Sequence, residues 1–331
     1  MRGSALPWIL LAASVPAGAC NTGPPVEERP GEEPEVRPWE WTEAEWRAPI
    51  DAVRAGRRLA PSEWPGGNRV AVALSFDFDN ETVSLRDNNT SASVLSRGQY
   101  GSRAGLPRVL DLLRRHEIPA SFFIPAVSAL IYQEDVAEIV ADGHEIGVHG
   151  WIHERNSLIS GEVERELIER AIDTLTELTG TRPVGLRTPS WDYSPNTLQI
   201  VRDLGFLYDS SLMADDWPYE IVANGEPTGV VELPVEWILD DAPYFGFSRY
   251  SALRPHSTPD DVLSIWKAEF DMAHAEGGMF LLTMHPHVIG HRSRIAMLER
   301  LIEHMGAAGD VWYATHEEVA RYALENAGGP D

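Results

Sequence analysis

Two aspartates one residue apart, Asp77 and Asp79, close an apolar run, and two histidines four apart, His149 and His153, follow another. Arg187 ends a third such run and His285 a fourth. Carboxylates at i and i+2 of an extended segment point to one side. Close like charges raise one pKa unless a cation neutralises them, which suits one metal ligand and one general base. Alone, the pair is equally a solvated strand end or a helix cap. Histidines about one turn apart, with Gly150 permitting the bend, suit zinc or a similar divalent ion; alone they are two loop histidines. Adding Asp79 gives a two-His, one-carboxylate set with positions open for water and substrate. An ion held there lowers the pKa of its water and polarises a carbonyl. His285 is either a satisfied core residue or a general acid that protonates a leaving nitrogen. Arg187 is either a surface ion pair or the bidentate partner that orients Asp77.

The elements that must position these groups alternate along the chain. Apolar runs predict strands at 69–76, 119–124, 145–148, 184–187, near Phe206, 230–233, 278–284 and 311–313. Helical spacing predicts helices at 103–116, 134–142, 161–179, 195–204, 259–276 and 292–306. A last helix is opened by Thr315, with Glu318 at capping-box distance. Strand and helix repeating in this way predict a parallel sheet covered by helices. About seven strands in one undivided body favour an α/β barrel, in which reactive residues gather at the carboxyl ends of strands. Asp77, His149, Arg187 and His285 all fall at such ends.

Together these residues form a recognisable pattern. Ser75-Phe76-Asp77-Phe78-Asp79 resembles the Thr-Phe-Asp-Asp-Gly motif of the polysaccharide deacetylases (the NodB-homology group), with Phe78 inserted. Gly143 to His149 with His153 resembles the family's second motif, Arg187-Thr188-Pro189 its Arg-x-Pro motif, and Leu282 to His285 its Leu-x-His motif. The resemblance spans roughly residues 65–320 with the motifs in order. It implies a distorted, seven-stranded TIM-like (β/α) barrel and hydrolysis of acetamides on amino sugars. It implies Asp77 as base, His285 as acid, Arg187 as the holder of Asp77, and Asp79, His149 and His153 as ligands of a divalent metal, zinc first. A backbone N–H after the first motif or near Ser190 would help hold the oxyanion. Ser190 and Trp191 stand where they would form a substrate wall. Asp216 with Trp217 aligns loosely with the element that orients the acid histidine, and Asp240 and Asp241 compete for that role. The Asp-Phe-Asp spacing and the 231–244 segment look more like the branch with allantoinase-like and cyclic-imide-hydrolysing members. Three readings stay open: deacetylation of a cell-surface glycan, opening of a small cyclic imide or ureide, and a silent carbohydrate-binding lipoprotein whose 11 tryptophans suit sugar stacking.

Composition sets the surroundings. A formal charge of −24 repels phosphate backbones and argues against a nucleic-acid partner. Hydrophobic residues at 43% supply a full core. Arg2, the apolar run from Ala5 to Val15 and the small residues before Cys20 have the layout of an export signal, too short to span a bilayer. Ala17-Gly18-Ala19-Cys20 resembles a lipobox, although Leu is usual at the position of Ala17, and implies residues 1–19 removed and Cys20 lipidated. Residues 20–64 read as an acidic Pro/Glu-rich tether and lead-in, and 65–325 as the catalytic domain. The lone cysteine excludes an intrachain disulfide. These features predict an exported, membrane-anchored enzyme, with the apolar 243–250 segment a candidate homo-oligomer interface.

Overall fold

The computed structural model describes residues 37–246 and 257–328. The lipobox, Cys20 and residues 247–250 of the candidate interface lie outside the described residues. Ten strands make one sheet: β1 (Arg54–Arg58), β2 (Val70–Asp77), β3 (Ser121–Ile124), β4 (Glu145–Val148), β5 (Gly185–Leu186), β6 (Tyr208–Asp209), β7 (Tyr219–Ala223), β8 (Glu226–Glu232), β9 (Met279–Met284) and β10 (Val311–Tyr313).

Seven of them, in the order β8-β6-β5-β4-β3-β2-β9, pair in parallel. A single parallel bridge between Asp240, beyond β8, and Thr283 in β9 joins the two ends. The result is the expected distorted barrel. β10 lies along the first half of β2 on the edge that β3 takes further on. β2 and β9 are buried along their whole length, as strands covered on both faces must be.

The helices start and stop where local chemistry directs. The helix Gly161–Thr179 is opened by Ser160, whose Oγ accepts the Val163 N–H, and closed by Gly180 at φ 74°. Pro259–Glu276 runs from the Thr258 cap to Gly277 at φ 82°. Thr315 and Glu318 form the predicted capping box of His316–Asn326.

Two regions differ from the sequence reading. The helix expected at 103–116 begins at Ala92 and runs through one π turn, Gly101–Gly105, to His116. Its Gly98 and Gly105 let backbone approach backbone: a Cβ would stand 2.4 Å from the Asn80 carbonyl carbon and 2.0 Å from the Pro286 oxygen. This helix therefore braces the loops after β2 and β9. The second difference lies in the lead-in. β1 pairs antiparallel with β7, and Leu59 and Trp64 are fully buried, with Trp64 against Trp217, Trp312 and Tyr322. The packed body thus begins before residue 65, and only part of 20–64 can act as a tether.

Candidate active site

All six residues read as catalytic or metal-binding converge at the carboxyl ends of the parallel strands. Phe78 explains the unusual spacing. Its N–H donates to the Phe123 carbonyl, continuing the ladder, and its ring is buried near Tyr132. Asp77 and Asp79 therefore share the opposite side, both almost fully buried. Gly150, at φ 73°, turns the chain after β4 so that His153, itself at φ 64°, faces back toward His149. The Glu154 carboxylate caps this turn by accepting the N–H groups of Trp151 and Ile152.

Asp79 is the hub. Its Oδ1 lies 3.5 Å from His149 Nε2, and its Oδ2 lies 3.5 Å from His153 Nε2 and 3.6 Å from His285 Nε2. Oδ1 is buried without a hydrogen-bond partner among the described residues. Burial opposes ionisation of Asp79, but the imidazoles of His153, His149 and His285 hold its carboxyl well below the usual range. Burial pulls His149 down to about 4, so its ring is neutral. His149 Nδ1 donates to the Arg187 carbonyl at 2.8 Å, which leaves the Nε2 lone pair facing Asp79.

Those spacings fit a metal ion. A tetrahedron with bonds of about 2.1 Å has edges of about 3.4 Å, against the 3.5 Å separations here. His153 carries one constraint. Its Nδ1 lies 2.5 Å from Arg86 Nη1, which also reaches the His153 carbonyl at 3.2 Å and Ser190 Oγ at 3.0 Å. If Nε2 binds an ion, Nδ1 keeps its hydrogen, so its contact with Nη1 joins two donors and is no hydrogen bond, and the two Nη1 hydrogens go to those two oxygens.

Two flanking groups are held from behind. The fully buried Arg187 donates to Asp77 Oδ1 at 2.7 Å and to Ser75 Oγ at 2.9 Å, and stacks its guanidinium 4.1 Å from the Phe123 ring centre. Its Nε is spent on the Ser210 carbonyl and its Nη2 reaches Ser210 Oγ. Asp77 Oδ2 stands 3.6 Å from His149 Nε2. His285 Nδ1 donates to Asp241 Oδ1 at 2.6 Å. Burial would lower the His285 pKa, but Asp241 and Asp240 push it well above its ordinary value. Of the competing acids, Asp241 thus makes the contact, and Asp240 stands 3.7 Å from the same nitrogen. Asp216 is a correction: it is exposed, and the neighbouring Trp217 packs on Trp64, away from His285.

Ser190 and Trp191 form a strained rim turn, at φ 56° and 54°. Trp191 is buried against Trp237, ring centres 4.2 Å apart. The N–H groups of Phe78, Trp191 and Asp192 are spent on the Phe123, Thr188 and Pro189 carbonyls, which removes them as oxyanion donors. Arg86 is not singled out by the sequence and lies in no motif, and Trp237 is read there only as part of the 231–244 segment. His287, two residues beyond His285, has its ring centre 5.6 Å from that of His285 and its buried Nδ1 unpartnered among the described residues.

The comparisons with known proteins agree with this geometry. The family model described as polysaccharide deacetylase matches residues 87–208, the stretch that holds His149, His153 and Arg187. A relative from Helicobacter pylori, named peptidoglycan deacetylase, is 31% identical over 281 residues, covering 76% of this chain and 95% of its own. A crystal structure from Mycobacterium smegmatis with a polysaccharide deacetylase description is 34% identical, with a TM-score of 0.75, covering 84% of this chain and 98% of that one. A crystal structure of Puue allantoinase is 28% identical, with a TM-score of 0.71 and coverages of 81% and 95%.

Proposed function

The chain belongs to the polysaccharide deacetylase family, hydrolases of non-peptide C–N bonds, and we propose that it removes acetyl groups from the amino sugars of a cell-surface polymer. The observation that carries this reading is the Asp79–His149–His153 cluster flanked by two proton-handling groups, Asp77 and His285, each held by its own partner.

Asp77 is the base: Arg187 fixes its Oδ1, and Oδ2 takes the proton of the attacking water. His285 is the acid: Asp241 anchors Nδ1, and Nε2 gives its proton to the departing amide nitrogen. Water oxygen joins the acyl carbon, the C–N bond breaks, and acetate and a free amine leave. A divalent ion on Asp79, His149 and His153 would polarise the acyl oxygen and acidify the water. Two imidazoles and one carboxylate favour zinc. Ser190, Trp191 and Trp237 would form the sugar-contacting wall. We assign the chain to the exported lipoproteins on the Cys20 motif. The relative named for peptidoglycan supports a wall substrate. No helix among the described residues is long and apolar enough to cross a membrane.

The likeness to an allantoinase supports a second reading, hydrolysis of a small ring amide. Acetate release from N-acetylated peptidoglycan and chitin oligosaccharides, with and without chelator, separates the two. Chelator-sensitive acetate is expected. A folded, metal-loaded protein that releases none, and instead opens cyclic ureides or imides, overturns the glycan assignment.

A further inference from the structure

Residues 38–52 form a short 3-10 turn, Pro38–Glu40, and a helix, Glu43–Ala52, in which no residue is buried. The helix is well made: Thr42 and Glu45 close a capping box at its start. Its tryptophan stays exposed, with the Arg47 guanidinium against the Trp46 ring, 5.0 Å from its centre. Trp39 is 77% exposed, and Trp41, Trp46 and Ile50 are about two-fifths exposed. Three of the four tryptophans that stand out into solvent among the described residues fall within these eight positions, 39 to 46. Trp46 and Ile50, four apart, share one helix face.

The segment has a fixed place on the body. In its last turn the Asp51 backbone carbonyl accepts the Asn224 N–H, and past its end β1 pairs with β7. Pro49, Ala52 and Val53 border a cleft of about 450 Å³ with Tyr193, Pro195 and Leu212. Those last three residues follow the carboxyl ends of β5 and β6. The helix thus joins the body beside the amino end of β8 and leans on the loops that follow β5 and β6.

We propose that this tryptophan-bearing helix docks on the lipid bilayer, lying in the headgroup region and fixing how the body sits at the membrane surface. The inference rests on the export and Cys20 anchoring reading above. Three observations favour a bilayer. Tryptophan is the side chain of the membrane interface, apolar in body and polar at the ring nitrogen. Residues 37–58 carry five arginines against four acids, whereas the whole chain carries −24, so this stretch is spared the general repulsion from anionic headgroups. Finally, Trp39 follows Cys20 by nineteen positions. Nineteen residues of chain reach at most roughly 65 Å. An anchored Cys20 would thus hold the helix at an effective concentration near millimolar, where a weak interfacial contact is occupied.

The test uses the full chain on phosphatidylcholine–phosphatidylglycerol vesicles, with and without bromine on the acyl chains. Tryptophan emission of the wild type is expected to be quenched by the brominated lipid. The combined variant Trp39→Ser, Trp41→Ser, Trp46→Ser is expected to stay folded, since all three side chains are exposed, and to lose that quenching. Equal quenching in variant and wild type, or vesicle-bound wild type without quenching, overturns the proposal. So does a wild-type dimer that the variant converts to monomer without any lipid effect, because a second copy then covers the helix. The mass of the N-terminal peptide reports acylation separately. Quenching without acylation supports the docking surface and overturns only the anchor.

Discussion

Asp241 grips His285 twice: Oδ1 accepts the ring Nδ1–H at 2.6 Å, and Oδ2 accepts the backbone N–H of the same residue at 3.1 Å. The first bond fixes the tautomer that presents Nε2 to the site, and the second fixes the loop. Asp241→Asn keeps the shape but loses the charge that stabilises a protonated ring. We expect kcat to fall by about 10²–10⁴ with KM little changed. Asp216→Asn, on the exposed turn, leaves both constants unchanged. Steady-state kinetics on an N-acetylated oligosaccharide decide the matter, and equal effects from the two variants would refute the assignment to Asp241.

Metal content is the second expectation. The purified chain should carry one divalent ion. Asp79→Asn and His149→Ala should each lose the ion and at least about 10³ of the activity. Elemental analysis after gel filtration reads the first, and acetate release the second. Bound ion also stabilises the fold by mass action, so chelation should lower the melting temperature of wild type and leave Asp79→Asn unmoved. A metal-free wild type with full activity would end this reading.

Much of this arrangement is legible in the sequence because it rests on local signals. β2, β4 and β9 are short apolar runs that end in polar side chains, and the helices 161–179 and 259–276 carry caps at both ends. The contribution of β1 and β7 is not legible: every residue of Arg54–Arg58 is exposed and three of the five are arginines, so no periodicity marks it, and only the partner strand makes it a strand. Asp241 could not be separated from Asp240 because they are adjacent in sequence. The parallel bridge of Asp240 with Thr283 settles which carboxylate turns toward His285. Arg86 reaches Ser190 across 104 positions through a contact that only the barrel creates.

Arg187 should matter to stability as much as to chemistry. Its guanidinium is fully buried and bonded to Asp77, Ser75 and Ser210. Arg187→Gln leaves the Asp77 carboxylate buried without its cation, a loss of about 3–5 kcal/mol. At about 2–4 °C per kcal/mol for a domain of this class, the melting temperature should fall by roughly 6–20 °C. Arg187→Lys keeps a charge but cannot reproduce the fork, so it should recover part of the stability and little of the activity. Thermal unfolding of the two variants beside wild type checks this, and an unchanged melting temperature in Arg187→Gln would contradict it.

Behind Arg187, Asp209 of β6 is the cross-strand neighbour of Glu232 of β8, and both are fully buried. Tyr219 of β7 is paired with Glu232 on the other side, which places two carboxyls and a phenol in one row. Backbone N–H groups of Ser211 and Leu212 satisfy Glu232 Oε1, while both Asp209 oxygens and the Tyr219 hydroxyl lack partners among the described residues. Burial pushes Asp209 up to about 7 and, with Asp209 beside it, Glu232 well above its usual range. Unfolded carboxyls titrate near 4, so between about pH 4 and 7 the folded state binds more protons than the unfolded chain. Stability contributed by this pair is present below pH 4 and is lost as pH rises through that window, at up to about 1.4 kcal/mol per unit for each proton. The buried neutral His149 and His316 act with the opposite sign, so the comparison must be between variants. Asp209→Asn removes one carboxyl from the row and should flatten the decline, leaving the variant less stable than wild type at pH 5 relative to its standing at pH 8. Melting temperatures of both proteins from pH 5 to pH 8 measure this directly, and parallel curves would show that the pair holds no shared proton.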